Sequence, residues 1–255
     1  MTRDLTEEQF HRYARHLILD EVGEEGQFKL LDASVLVVGA GGLGAPLLMY
    51  LAAAGVGRLG IVDDDAVELA NLQRQIVHKT TSVGARKVAS AAETLGDINP
   101  GVKIERHDAR LDESNAESLI EGWDIVADGS DNFATRYLVN DVCHRLGVPL
   151  VSGAILRFEG QLFAIDPRGP EKMPCYRCMF PDPPDENLVP RCEQAGVFGA
   201  LAGVVGTLQA IEVLKLLLGL GQSIQGQLLL YDALDTRFRK IKMPVDPNCK
   251  TCGPS

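Results

Sequence analysis

The chain has 255 residues, of which 45% are hydrophobic and only 5% aromatic, and it carries a formal net charge of −10 at pH 7. That length can bury a sizeable core. The acidic balance excludes a nucleic-acid backbone as the main partner, because such binders carry a basic surplus. Any anionic ligand must therefore be met by locally placed cations.

The opening "MTRDLTEEQF" lacks the basic-then-apolar layout of a signal peptide. It reads instead as a helix start, with Thr6 as N-cap and Gln9 closing a capping box. Nothing in it directs export, so a cytoplasmic location is expected. Four short aliphatic runs come next, "SVLVVG" (34–39), "RLGIVD" (58–63), "VKIERH" (102–107) and "DIVADG" (124–129), each separated from the next by a helical pattern. Strands alternating with helices imply right-handed crossovers and a parallel sheet. Beyond Val148 the rhythm changes. "PLVSGAILRFEGQLFAID" holds two strand-like runs with too little chain between them for a helical crossover, so they should pair antiparallel, and "GQLLLYDALDTRFRKIKMP" repeats the arrangement.

Residues 167–190 are rich in proline and polar side chains and read as an exposed insertion. The segment from Val197 to Gly221 is long and apolar enough for a bilayer, but Gln209, Glu212 and Lys215 form a polar seam within it. It reads as a core helix, with glycines at 199, 203 and 206 permitting close packing, and no membrane partner is expected. The predicted fold is α/β and Rossmann-like, a single domain over 1–255. Its mixed sheet is parallel in the half 34–147 and antiparallel in the half 148–255.

Gly39, Gly41 and Gly44, with Gly42 between them, form GxGxxG directly after a strand and before a helix. Such glycines permit a tight turn, let the backbone approach a phosphate, and let the helix pack closely on the sheet. Phosphate then meets the amide groups and dipole of the helix N-terminus. Asp63, at the end of the second strand, is placed to accept hydrogen bonds from ribose hydroxyls. No GxxxxGK[ST] occurs, which removes a P-loop as the phosphate cradle.

The residues downstream of Asp63 do not suit a dehydrogenase. Asn71, Arg74 and Lys87 supply an amide and two cations on a loop and a helix start. Arginine offers a planar fork for phosphate oxygens and lysine a compact charge. Asp131, in "DGSDN" after the fourth strand, stands at the carboxyl edge of a parallel sheet, where it could hold Mg²⁺, cap the next helix, or do both.

Cys175 and Cys178 ("CYRC") and Cys249 and Cys252 ("CKTC") form paired CxxC units that suit tetrahedral zinc. Disulfides are the alternative, disfavoured in a reducing compartment. Four thiolates leave no open position, so the zinc would be structural. Cys143 is expected to pack within a helix.

Taken together, "RYARHLIL", "GAGGLG", "NLQRQ", "VGARKV", "INP", "DGSDN", "VPLVSGA", "EGQ", "CYRC", "GTLQAIEVLK" and "CKTC" resemble, in this order, the ThiF/MoeB/HesA family of adenylyltransferases, relatives of ubiquitin-activating enzymes. Within it the similarity is to molybdopterin-synthase adenylyltransferases. The resemblance implies that the glycine loop and Asp63 hold ATP, that Asn71, Arg74 and Lys87 contact its phosphates, and that Asp131 binds Mg²⁺. It also implies that Arg15 reaches ATP from a neighbouring subunit, hence a homodimer. The reaction implied is activation of the C-terminal glycine of a small ubiquitin-like sulfur carrier ending in Gly-Gly, as an acyl-adenylate with release of pyrophosphate. Molybdopterin synthesis is the expected use and thiamine synthesis the alternative.

Cys192, in "RCEQAGV", matches a position where some relatives form a covalent link to the carrier; an unreactive small residue is equally compatible with the sequence. With no rhodanese extension matched, the sulfur donor is expected to be a separate protein. Two readings compete. An NAD-dependent oxidoreductase accounts for the glycines and Asp63 but gives Arg74, Lys87, Asp131 and the cysteines no joint purpose. A non-catalytic nucleotide-binding scaffold accounts for the fold but not for the retained cations.

Overall fold

The computed structural model describes residues 4–169, 172–184 and 195–253. Five strands, β1 (Ser34–Val38), β2 (Arg58–Val62), β3 (Lys103–His107), β4 (Ile125–Asp128) and β5 (Leu150–Leu156), run parallel. Three more, β6 (Glu159–Ile165), β7 (Gln227–Asp232) and β8 (Arg237–Lys242), continue the sheet antiparallel. The order is β3-β2-β1-β4-β5-β6-β7-β8. The mixed sheet is the one expected from the spacing of the runs, with one refinement. β5 itself belongs to both halves, pairing parallel with β4 through Val126↔Leu150 and antiparallel with β6 through Leu150↔Ile165. The two short reversals place Arg157 (φ 54) and Thr236 (φ 51) in the left-handed region, where tight hairpins need it.

Every residue of β1 is buried, as a strand covered on both faces requires. Val35 and Val37 point into one core with α3 (Gly44–Ala54), α4 (Lys87–Ile98) and α8 (Gly199–Leu218). Leu36 and Val38 point into the other with α5 (Ala116–Ile120), α6 (Phe133–Leu146) and α7 (Tyr176–Met179). α8 is the one helix among the described residues long and apolar enough to cross a membrane, and here it lies across the sheet. Its polar seam is largely paired internally, with Gln209 Oε1 the one buried atom of the three side chains that has no hydrogen-bond partner among the described residues. Gln209 donates to the Asp128 carbonyl at 2.8 Å, and Glu212 accepts from Lys215 Nζ at 2.6 Å and from Ile224 N–H at 3.2 Å. Gly206 meets α3 where a side chain would collide with the Leu43 carbonyl, so only glycine permits this crossing.

α1 (Glu7–Leu17) begins with the expected capping box: Thr6 Oγ1 accepts from Gln9 N–H at 3.1 Å, and Gln9 Oε1 from Thr6 N–H at 3.0 Å. It is anchored at the far ends of α3 and α4. Arg12 donates to the Ile98 carbonyl at 2.9 Å, Asn99 donates to Tyr13 Oη at 2.9 Å, and Tyr13 packs on Gly55. α2 (Gly23–Asp32) leads from α1 into β1.

Candidate nucleotide site and cysteine cluster

The carboxyl ends of β1, β2 and β4 converge at one edge of the sheet. Gly39, leaving β1, has φ +92°, a conformation that disfavours any side chain, and its amide donates to the Val62 carbonyl at 2.8 Å. A Cβ on Gly44 would collide with the Gly39 carbonyl, and one on Gly129 would lie 3.1 Å from Gly44 N. The two loops therefore pack backbone on backbone, which their glycines permit. Among the described residues the amides of Gly41 and Gly42 donate to no protein acceptor, leaving N–H groups at the start of α3 for an anion.

Asp63 closes the loop from the second strand. Its Oδ2 accepts from Ala40 N–H at 2.8 Å and its Oδ1 from Asp65 N–H at 2.9 Å. Burial pushes its pKa above the ordinary carboxylate value, while Lys87 pulls the other way. Lys87 is only 5% exposed, and its ammonium lies 2.7 Å from Asp65 Oδ2. The backbone of Asp65 also caps α4, its carbonyl accepting from Lys87 N–H at 2.9 Å. The lysine predicted for phosphates is thus brought to the glycine loop and held by a carboxylate that no sequence motif singles out. Asn71 ends a short 3₁₀ turn (Leu69–Asn71), and its Oδ1 lies 3.4 Å from Arg74 Nη2. A Cβ on Gly42 would sit 3.4 Å from Arg74 Cγ, which places the arginine stem against the glycine loop.

Asp131 is exposed and makes no hydrogen bond or ion pair among the described residues. The helix cap considered for it belongs to Asn132, whose side chain accepts from Thr135 N–H at 2.9 Å. The reason is register: α6 begins at Phe133, one residue later than a cap at Asp131 requires. A carboxylate with open lone pairs, on a loop that packs against the glycine loop, is of the chemistry that can hold Mg²⁺. Its loop is fixed from below by Asp128, which is fully buried. Asp128 Oδ1 accepts from Ser130 N–H at 2.9 Å and Oδ2 from Ser152 Oγ at 2.7 Å. Asp128 and Ser152 are too far apart in sequence for local pattern to reveal their pairing.

Arg15 is not brought to this cluster. It is exposed on α1, which is tethered to the last turns of α3 and α4. The glycine loop lies at the other end of α3, about 16 Å away along that helix. Cys192 lies outside the described residues.

The four predicted cysteines come together across 74 residues of sequence. Cys175 Sγ is 3.5 Å from Cys249 Sγ, Cys178 Sγ is 3.3 Å from Cys252 Sγ, and all four sulfurs lie within 4.8 Å of one another, buried. These separations are well beyond a disulfide bond of about 2 Å. Four thiolates about 2.3 Å from a shared zinc would stand about 3.8 Å apart, so the cluster suits that ion. Asp141, on α6, ties the cluster down: its carboxylate accepts from Arg177 Nη2 at 2.7 Å and from Thr251 Oγ1 at 2.5 Å. Cys143, also on α6, is fully buried in the apolar core and burial pushes its thiol pKa up, as suits a packing residue.

Residues 13–251 match the model of the ThiF family. The chain belongs to the ThiF family. Over 99% of its length this ThiF-family chain is 52% identical to the SAMP-activating enzyme E1 of Haloferax volcanii, covering 92% of that protein. It is also 52% identical over 97% of its length to the sulfur carrier protein adenylyltransferase of Thermus thermophilus, again covering 92% of it. The adenylyltransferase and sulfurtransferase MOCS3 of Anopheles gambiae is 49% identical over 98% of the chain, which spans 56% of that longer protein. Among solved structures, E. coli MccB with ATP aligns with a TM-score of 0.80 at 19% identity, over 99% of this chain and 83% of that one, a likeness of fold.

Proposed function

We propose that this chain, an adenylyltransferase by family, activates the C-terminal carboxylate of a small ubiquitin-like sulfur carrier ending in Gly-Gly, using MgATP. The observation that carries the reading is the junction of Asp63, Arg74 and Lys87 around a glycine loop whose Gly41 and Gly42 amides have no protein acceptor among the described residues. The names of the relatives point to the carrier.

In the proposed reaction a carboxylate oxygen of the carrier attacks the α-phosphorus of ATP. A new O–P bond forms, the bond to the β-phosphate oxygen breaks, and pyrophosphate leaves. An anion attacking a polyanion faces a Coulombic barrier, which cations fixed in advance lower without reorganising. Arg74 and Lys87 serve there, and the glycine-loop amides orient the phosphates. Asp131 would hold Mg²⁺, which when bound neutralises charge on the phosphates. No general base is needed, because the carboxylate is ionised at neutral pH. The remaining contribution is alignment of two reactants. The cysteine cluster is read as structural zinc, closed to substrate, and the carrier is assigned to molybdopterin synthesis, with thiamine synthesis as the second use.

Calorimetry should show tight MgATP binding and none for NAD. The reverse pattern would return the chain to the oxidoreductase reading. Arg15 lies at the far end of α3 from its own glycine loop, so the role that the family resemblance implies for it would be played at the site of a second copy. Arg15→Ala and Asp131→Ala homodimers should each be strongly impaired in ATP–pyrophosphate exchange, and subunit mixing should restore much of it because one of the two sites in the hybrid is intact. Absence of complementation in mixed dimers would remove the partner role of Arg15.

A further inference from the structure

The glycine loop is gripped from a second side. His78 is 6% exposed and stands just past the Arg74 turn, with its Nε2 2.9 Å from the Ala40 carbonyl and its Nδ1 3.0 Å from Ser90 Oγ on α4. A carbonyl only accepts, so Nε2 carries the proton and Nδ1 of the neutral ring accepts from the Ser90 hydroxyl. The amide of the same Ala40 donates to Asp63. Both peptide groups of Ala40 are thus fixed, one by Asp63 and one by the imidazole. In a planar trans peptide the carbonyl and the next N–H point in opposite directions, and this chain has no cis peptide among the described residues. Holding the Ala40 carbonyl on His78 therefore aims the Gly41 N–H away from the imidazole, toward the open side of the loop. The same ring, through Ser90, ties the loop to the helix that begins with Lys87.

We infer that His78 is a positioning residue for nucleotide binding: it sets the direction of the Gly41 amide and the spacing between the glycine loop and α4, without touching the nucleotide. The inference rests on the proposed use of MgATP. It predicts that what matters is one donor at the Nε2 position, not the ring.

Glutamine places its amide nitrogen near that position, and methionine fills a similar volume with no donor. In ATP–pyrophosphate exchange with a Gly-Gly carrier, His78→Gln should keep KM for ATP close to wild type. His78→Met should raise it roughly tenfold, the worth of a hydrogen bond left unmade in a buried site, with kcat retained once ATP saturates. His78→Asn, whose amide nitrogen falls near Nδ1 and serves only Ser90, should behave like methionine. Tm of each variant separates positioning from folding. Equal KM values for the Gln and Met variants at matched Tm would overturn the inference, as would a fall in kcat with KM unchanged. A wild-type chain that binds no MgATP by calorimetry would instead overturn the reading of the site on which the inference stands.

Discussion

Arg74→Ala and Asp131→Ala are each expected to lower the rate of ATP–pyrophosphate exchange by roughly 10²- to 10³-fold, the cost of removing a preorganised electrostatic group from a reaction centre. The folded chain and its binding of carrier should survive, because neither side chain is built into the core: Asp131 is exposed, and Arg74 lies along the loop surface with Asn71 as its hydrogen-bond partner. A charge that is merely solvated would cost almost nothing on removal. Near-normal exchange in either variant would therefore sink its proposed role. Cys192→Ala is the contrast. A thiol step can only come after adenylation, so exchange should stay at the wild-type level, and loss of exchange in a folded Cys192→Ala protein would contradict that order.

The second large effect is on stability. Cys178→Ser should release zinc and cost about 3–5 kcal/mol, the scale of breaking a buried set of charged partners. For a chain of this size that is roughly 10 °C in Tm. The cluster joins the loop of α7 to the C-terminal segment, and Asp141 fastens it to the middle of α6, on the order of 12 Å along the helix from where α6 begins beside Asp131. Exchange measured well below the melting temperature should thus be largely retained. Metal analysis of freshly purified, reduced wild-type protein that finds no zinc would overturn the assignment, and an unchanged Tm in Cys178→Ser would remove its structural weight.

Where a feature depends on neighbours in sequence, the chain could be read directly. The capping box at Thr6 and Gln9 is three residues long in reach, the parallel runs are short and separated by helical spacing, and the CxxC pairs carry their ligand geometry in their own spacing. Features that depend on residues meeting through space without a motif to announce them were not legible. Nothing local marks Asp65 as the partner of Lys87, 22 positions away, or Ser152 as the partner of Asp128, 24 away. His78 reads as an ordinary residue in "QIVHKTT" until Ala40, 38 positions earlier, is seen against its ring. The cap of α6 is displaced by one residue from the expected position because aspartate and asparagine are equally good caps and stand side by side in "DGSDNF". The dual pairing of β5 is hidden for a related reason: a strand buried on both faces shows no alternation to tell which neighbour runs which way.

The central claim is that AMP is transferred to the C-terminal carboxylate of a Gly-Gly carrier. It is tested most directly by intact-mass measurement of such a carrier after incubation with this chain, ATP and Mg²⁺, alongside the same carrier with its terminal carboxylate amidated. The free carboxylate should gain one AMP, with pyrophosphate appearing in equal amount, and the amide should gain nothing. An unmodified carrier, or ADP and phosphate in place of pyrophosphate, would contradict the account.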